Sequence, residues 1–172
     1  MDDRLNLIYS RRSIRKFTGE KISDFQLNEL LTAAMAAPSA CKKDPWHFIT
    51  VQDDSTLEKI TEFLPNGPFL KNAGTGIVVC GDIKQAHTEA LSYMIQDCSA
   101  AIENILIAAH GIDLATCWLG VHPREERITA LKQLFSLPEN IIPIAVIAVG
   151  YGAEKGVPGS RFNSELIHQE RW

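Results

Sequence analysis

Arg11-Arg12-Ser13-Ile14-Arg15-Lys16-Phe17 gathers four cations and a hydroxyl within six residues of a chain whose net charge is −4. Read as an extended segment, it puts Arg11, Ser13 and Arg15 on one face and Arg12, Ile14 and Lys16 on the other. The first face then offers a guanidinium, a hydroxyl and a second guanidinium in steps of about 7 Å. That spacing suits a ligand with a phosphate at one end and an electron-rich heterocycle at the other. Arginine fits both, because its planar fork binds oxyanions through two N–H groups and it keeps its charge. The run has a second reading, in which basic residues after a short helix only offset the negative end of its dipole. The rest of the chain has to separate the two.

The chain has 172 residues, enough for one domain with an appendage, and its 45% hydrophobic content is that of a globular core. An acidic pI near 5.7 argues against general nucleic-acid binding. No apolar run reaches the roughly 18 residues of a membrane span. Met1-Asp2-Asp3-Arg4 opens no secretory signal, so a cytoplasmic location is expected. The cysteines (Cys41, Cys80, Cys98, Cys117) form no C-x-x-C pair, and the last three sit among apolar neighbours as core thiols of a reducing compartment. The histidines show no zinc spacing, and no metal site is expected.

Working outward, residues 2–10 read as a short helix with Asp2 and Asp3 at its start and Leu5 and Ile8 on one face. Ser23-Asp24-Phe25-Gln26 is a capping box that opens a helix burying Leu27, Leu30, Leu31 and Ala34. It stops before Pro38, and residues 38–45 form a loop bounded by two prolines. Trp46–Val51 reads as a strand, Ser55-Thr56-Leu57-Glu58 as a second capping box with a helix to about Phe63, and Pro65–Pro68 as a turn. Thr75–Cys80 is apolar throughout, so both faces of this strand should be covered. The spacing of Met94, Cys98, Ala101, Ile102, Ile105, Leu106 and Ala109 predicts a long helix from about Glu89 to His110, at the centre of the fold or at a subunit contact. Leu114–Leu119 should form a strand ending in Gly120. Pro123 should stand at N1 of a helix whose apolar face is Ile128, Leu131, Leu134 and Phe135. Ile141–Val149 is the last core strand. From Gly150 onward the chain is glycine-rich and irregular, yet it carries Phe162, Leu166, Ile167 and Trp172, which need another surface. We read residues 1–150 as the domain and 151–172 as an arm that packs on a partner subunit.

With these segments in place, the chain resembles the nitroreductase family of FMN-dependent oxidoreductases along nearly its whole length. Arg11 to Phe17 looks like the family's opening flavin-binding motif. Ala37-Pro38-Ser39-Ala40 followed by Pro45-Trp46-His47-Phe48 looks like A-P-S-x-x-N-x-Q-P-W-x-F. Gly111 to Gly120 resembles the segment that ends the long dimer helix and passes the flavin, Ile144 to Gly152 the final strand, and Arg161-Phe162 with Trp172 the closing arm. The resemblance implies an α+β fold with a mixed β-sheet sandwiched by helices, in an intertwined homodimer with arm exchange and two FMN sites at the interface. It implies that Arg11, Arg12 and Ser13 hold the phosphate or ribityl chain, with Arg161 as a further phosphate contact. Arg15 would face the pyrimidine edge, where a fixed cation favours the reduced flavin. Pro38, Ser39 and Ala40 would come from the other subunit and pack on the ring. Leu119 and Gly120 would offer backbone groups near the pyrimidine and N5. Asn66 falls where some members contact the flavin, and equally reads as part of an Asn-Gly turn. No protein acid or base is required, because flavin N5 carries the chemistry and Arg15 tunes it.

The expected activity is hydride transfer from NADH or NADPH through the flavin to a small electron-poor acceptor, a nitroaromatic or a quinone, by a ping-pong route. The alternative is a flavin-binding storage or sensor protein without turnover. A regulatory domain that uses the basic stretch for a partner is disfavoured by the second and closing motifs. The family's Asn and Gln of the second motif are replaced here by Lys42 and Asp44; Lys42 either contacts the flavin or pairs with Asp44 near the surface, and the surface pair is the favoured reading. The chain is short between Cys80 and the long helix, so few residues, Tyr93 among them, are expected to roof the flavin.

Overall fold

The computed structural model describes residues 5–157 and 159–172. Its centre is a four-stranded sheet of β1 (Trp46–Val51), β2 (Thr75–Asp82), β3 (Ala115–Gly120) and β4 (Ile141–Gly150), in the order β1-β2-β4-β3. All three strand pairings are antiparallel. The mixed sheet implied by the family resemblance is therefore not what the named strands build. The one parallel pairing among the described residues is an isolated bridge between Ser13 and Thr116.

Central strands β2 and β4 are buried on both faces, as the unbroken apolar runs require. Period 2 divides their side chains between two cores. Ile77 and Val79 of β2 join Ala145, Ile147 and Val149 of β4 on the side covered by α2 (Asp24–Met35) and α4 (Leu91–Gly111). Val78, Cys80, Val146 and Ala148 face α3 (Asp54–Phe63) and α5 (Glu125–Phe135). Pro143 has no N–H for the ladder, and a bulge absorbs this: Val79 pairs with Ala145 and Cys80 with Pro143, which leaves Ile144 over. The Ile144 carbonyl accepts instead from Val121 N and His122 N, both at 3.1 Å.

Ser23 caps α2 as expected: its hydroxyl accepts from Gln26 N, and the Gln26 side chain returns to Ser23 N at 3.0 Å. Ser23→Ala should cost about 1 kcal/mol in urea unfolding, and an unchanged midpoint would remove the box from the stability of α2. At α3 the cap is Asp53 rather than Ser55, because the Asp53 carboxylate accepts from Thr56 N and from the hydroxyls of Ser55 and Thr56. Those bonds hold the Asp53 carboxyl at about 2, below its ordinary value. At α5 the cap position is Arg124, so Pro123 precedes the helix instead of standing at N1. The first helix, α1, spans Asn6–Ser10, and the expected start at Asp2 and Asp3 lies outside the described residues. No helix among the described residues is long and apolar enough to cross a membrane.

α4 packs its buried residues between α2 and the sheet. Not all apolar surface is covered. Leu7, Ile8 and Tyr9 of α1 stand about half exposed, and Phe162, Leu166 and Trp172 of the tail are almost wholly so.

Candidate active site

The basic stretch is extended, as read from its spacing. It lies beside β3, where Ile14 N donates to Thr116 O at 2.9 Å. It also lies beside the chain leaving β4: Thr18 N donates to Tyr151 O at 2.9 Å and Ala153 N to Lys16 O at 2.8 Å. Glu154 Oε1 accepts from Arg15 N at 2.8 Å and Lys16 N at 3.1 Å. Ile14 is buried and anchors the segment, so Ser13 and Arg15 are turned outward.

Beyond Thr116, β3 is an edge strand. The Thr116 carbonyl points away from β4, and by period 2 the backbone groups of Trp118 and Gly120 point the same way. They open onto a cleft of about 360 Å³ whose walls include Arg15, Asn66, Gly67, Leu119, Gly120 and Arg127. Arg127 Nη1 donates to Gly120 O at 2.7 Å, so the remaining free groups at this end of the edge are mostly donors. A side chain at Gly120 would stand in open space, whereas a Cβ at Gly67 would press on Leu119 Cδ1 at 2.8 Å. The Asn66-Gly67 turn thus seats tightly on the strand while Gly120 leaves the cleft clear.

Arg11, Arg12 and Arg161 line a second cavity, of about 540 Å³, at the other end of the same stretch. Their environments differ. Arg11 Nε lies 3.3 Å from Glu103 Oε1 on α4, a charge contact without hydrogen-bond geometry. Four of the five N–H groups of the Arg12 guanidinium are engaged with backbone: it donates to Tyr9 O, Arg11 O, Val157 O and Gly159 O at 2.7 to 2.9 Å. Arg12 therefore ties the tail to the N-terminal segment, a role that sequence reading did not assign to it. Ser13 lines neither cavity; it bridges to Thr116 of β3, and its side chain hydrogen-bonds with Cys117.

Pro38, Ser39 and Ala40 line neither cavity in this protomer. Their loop is held from within, by Ser39 Oγ donating to Asp44 Oδ1 and by Ala40 N donating to Asp97 Oδ1 at 2.9 Å. Asp44 thus bonds to Ser39 and not to Lys42, which is exposed; the expected ion pair does not form. Tyr93 packs edge-on against His87 and also lines neither cavity. Cys80 and Cys98 are core thiols as expected, and burial pushes both up to about 12. Burial likewise raises the Cys117 thiol, against the opposing pull of Arg15 and a Ser13 hydrogen bond. Cys41 is exposed, with its sulfur 3.8 Å from His87 Nε2.

Comparison with known proteins decides the family. The model of the nitroreductase family matches residues 8–67 and 62–151, which span the whole sheet, the Arg15 cleft and the N-terminal wall of the second cavity. The chain belongs to the nitroreductase family. It is 45% identical over 175 residues to a protein of Archaeoglobus fulgidus provisionally named NADH dehydrogenase/NAD(P)H nitroreductase, with all of both chains covered. A crystal structure of a Parabacteroides distasonis protein with the same provisional name superposes with a TM-score of 0.93 at 35% identity, again over the full length of both. A Desulfovibrio desulfuricans protein, provisionally named a nitroreductase and crystallised in complex with FMN, matches at a TM-score of 0.86 and 29% identity over 100% of this chain and 99% of its own. The family's known relatives thus include flavin-bound and NAD(P)H-linked proteins of this size.

Proposed function

We propose that the chain is a homodimeric FMN-dependent oxidoreductase that takes a hydride from NADH or NADPH and delivers it to a small electron-poor acceptor, a nitroaromatic or a quinone, by a ping-pong route. The observation that carries this reading is the pairing of two cavities at the ends of one extended stretch. One end presents Arg15 beside the open donor edge of β3, and the other gathers Arg11 and Arg161. That donor set fits FMN: cations and a hydroxyl for the phosphate and ribityl chain, backbone N–H groups and a cation for the ring edge.

When bound, FMN supplies the hydride chemistry at its N5. Arg11, Ser13 and Arg161 hold the phosphate end, with Arg12 fixing the tail that carries Arg161. The Trp118 and Gly120 edge orients the ring, and Asn66 closes the far wall. Arg15 stabilises negative charge that develops at the pyrimidine edge. Pro38, Ser39 and Ala40 serve the site of the partner, which accounts for their absence from the cavities of their own protomer. The same dimer covers the exposed apolar residues of α1 and of the 151–172 arm.

Titration with FMN followed by anaerobic mixing with NADH tests the reading. One FMN per chain and rapid bleaching of its visible absorbance by NADH or, in a parallel mixing, by NADPH are expected; a chain that takes up no FMN would overturn it, and a bound flavin that neither dinucleotide bleaches would favour a storage or sensor role. Truncation after Gly159 removes Arg161 and the apolar arm together. The truncated chain should bind FMN about tenfold to a hundredfold more weakly, the range of one charge-assisted contact, and dissociate at higher concentration in sedimentation. A truncated dimer that retains its flavin would count against the arm.

A further inference from the structure

The Arg15 cleft holds more positive charge than a flavin edge calls for. Two guanidiniums, Arg15 and Arg127, line it, and no carboxylate does. Neither forms an ion pair among the described residues. The basic residues at the other end of the stretch are compensated, Arg11 by Glu103 and Arg12 by four carbonyls. In a chain of net charge −4, two guanidiniums lining one cleft with no ion-pair partner among the described residues are a local excess.

Arg127 is also placed against its own helix. It lies in the first turn of α5, at the positive end of the dipole, where a cation is disfavoured. Glu125 and Glu126 precede it and offset the dipole, yet neither pairs with it. Its half-buried side chain is fixed by the single bond from Nη1 to Gly120 O. A guanidinium carries five N–H donors, so four remain on a group that is already held in place. A held cation binds an anion at a smaller cost in side-chain entropy than a free one.

We infer that Arg127 is a specificity residue that docks an anionic group of the redox substrate standing over the cleft. The inference rests on the flavin reading above, in which Arg15 serves the ring edge and leaves Arg127 for a second ligand. The anion is a carboxylate or sulfonate on the acceptor, or the diphosphate of the nicotinamide dinucleotide.

The test uses FMN-loaded wild type, R127Q and R127K with four substrates. Nitrobenzene and 4-nitrobenzoate differ only in the acceptor's anion, and dihydronicotinamide riboside and NADH differ in the donor's phosphates. R127Q should raise KM about tenfold for 4-nitrobenzoate if the acceptor carries the docked group, or for NADH if the donor does. KM for nitrobenzene and dihydronicotinamide riboside should not move, and R127K should restore part of the loss. Equal KM values in wild type and R127Q for both anionic substrates would overturn the inference, as would a loss of FMN affinity in R127Q. Wild-type protein that fails to turn over the uncharged pair would instead overturn the flavin reading, and this inference with it.

Discussion

Replacing Arg15 by glutamine should slow reduction of bound flavin by NADH about a hundredfold, the effect of removing one preorganised electrostatic donor from a reaction centre. FMN binding should weaken by less than that, because in the proposed reading Arg11, Ser13 and Arg161 hold the other end. The split between the two quantities is the informative part. Arg15 is turned outward by the buried Ile14 and makes no side-chain bond among the described residues, so its loss leaves the backbone of the stretch where it is. Glutamine retains hydrogen-bonding capacity and removes the charge. Stopped-flow bleaching at saturating NADH measures the rate, and fluorescence titration measures the affinity. A variant reduced at the wild-type rate would remove Arg15 from the role assigned to it.

Gly150→Ala should have the larger effect on stability. A Cβ at 150 would overlap the carbonyl oxygen of Ala73, a backbone atom that cannot swing aside as a side chain could. Gly150 pairs with Ala115 at the end of β4, and the next residues carry Thr18 and Phe17 through Tyr151 and Gly152. Relief of the overlap therefore has to shift the ladder, the basic stretch or the loop that carries Ala73. The expected loss is about 3 kcal/mol, the upper part of the usual range for forced overpacking, with FMN affinity falling in parallel. Equilibrium unfolding in urea gives the first quantity. A midpoint equal to that of wild type would mean that the loop before β2 yields at no cost.

What the sequence makes legible follows from how local each signal is. The Ser23–Gln26 box is visible because both partners stand three residues apart and both side chains take part. β2 and β4 are visible because double-sided burial leaves an unbroken apolar run, although such a run also suggests parallel neighbours and so hides the antiparallel pairing. Asp53 is harder to see because Ser55 offers a second capping box two residues on, and only the geometry of Thr56 N separates them. Arg15, Asn66, Leu119 and Gly120 line one cleft, but period 2 turns the backbone groups of Leu119 toward β4 and those of Trp118 outward, so the strand offers Trp118 where the family pattern implies Leu119. Arg127 carries no such mark: on the polar face of an amphipathic helix it looks like any solvated cation. The backbone partners of Arg12 are not legible either, because they are carbonyls, which every residue possesses and which leave no trace in a one-letter string.

The bonds from Arg12 to Val157 O and Gly159 O span 145 and 147 residues of chain. A ribosome adding roughly 5–20 residues per second leaves Arg12 waiting roughly 7–30 s for those carbonyls to emerge. For that interval the most basic segment of the nascent chain has neither its tail nor, until Thr116 is made, its strand. The cavity lined by Arg11, Arg12 and Arg161 is thus among the last parts of the molecule to take shape during synthesis.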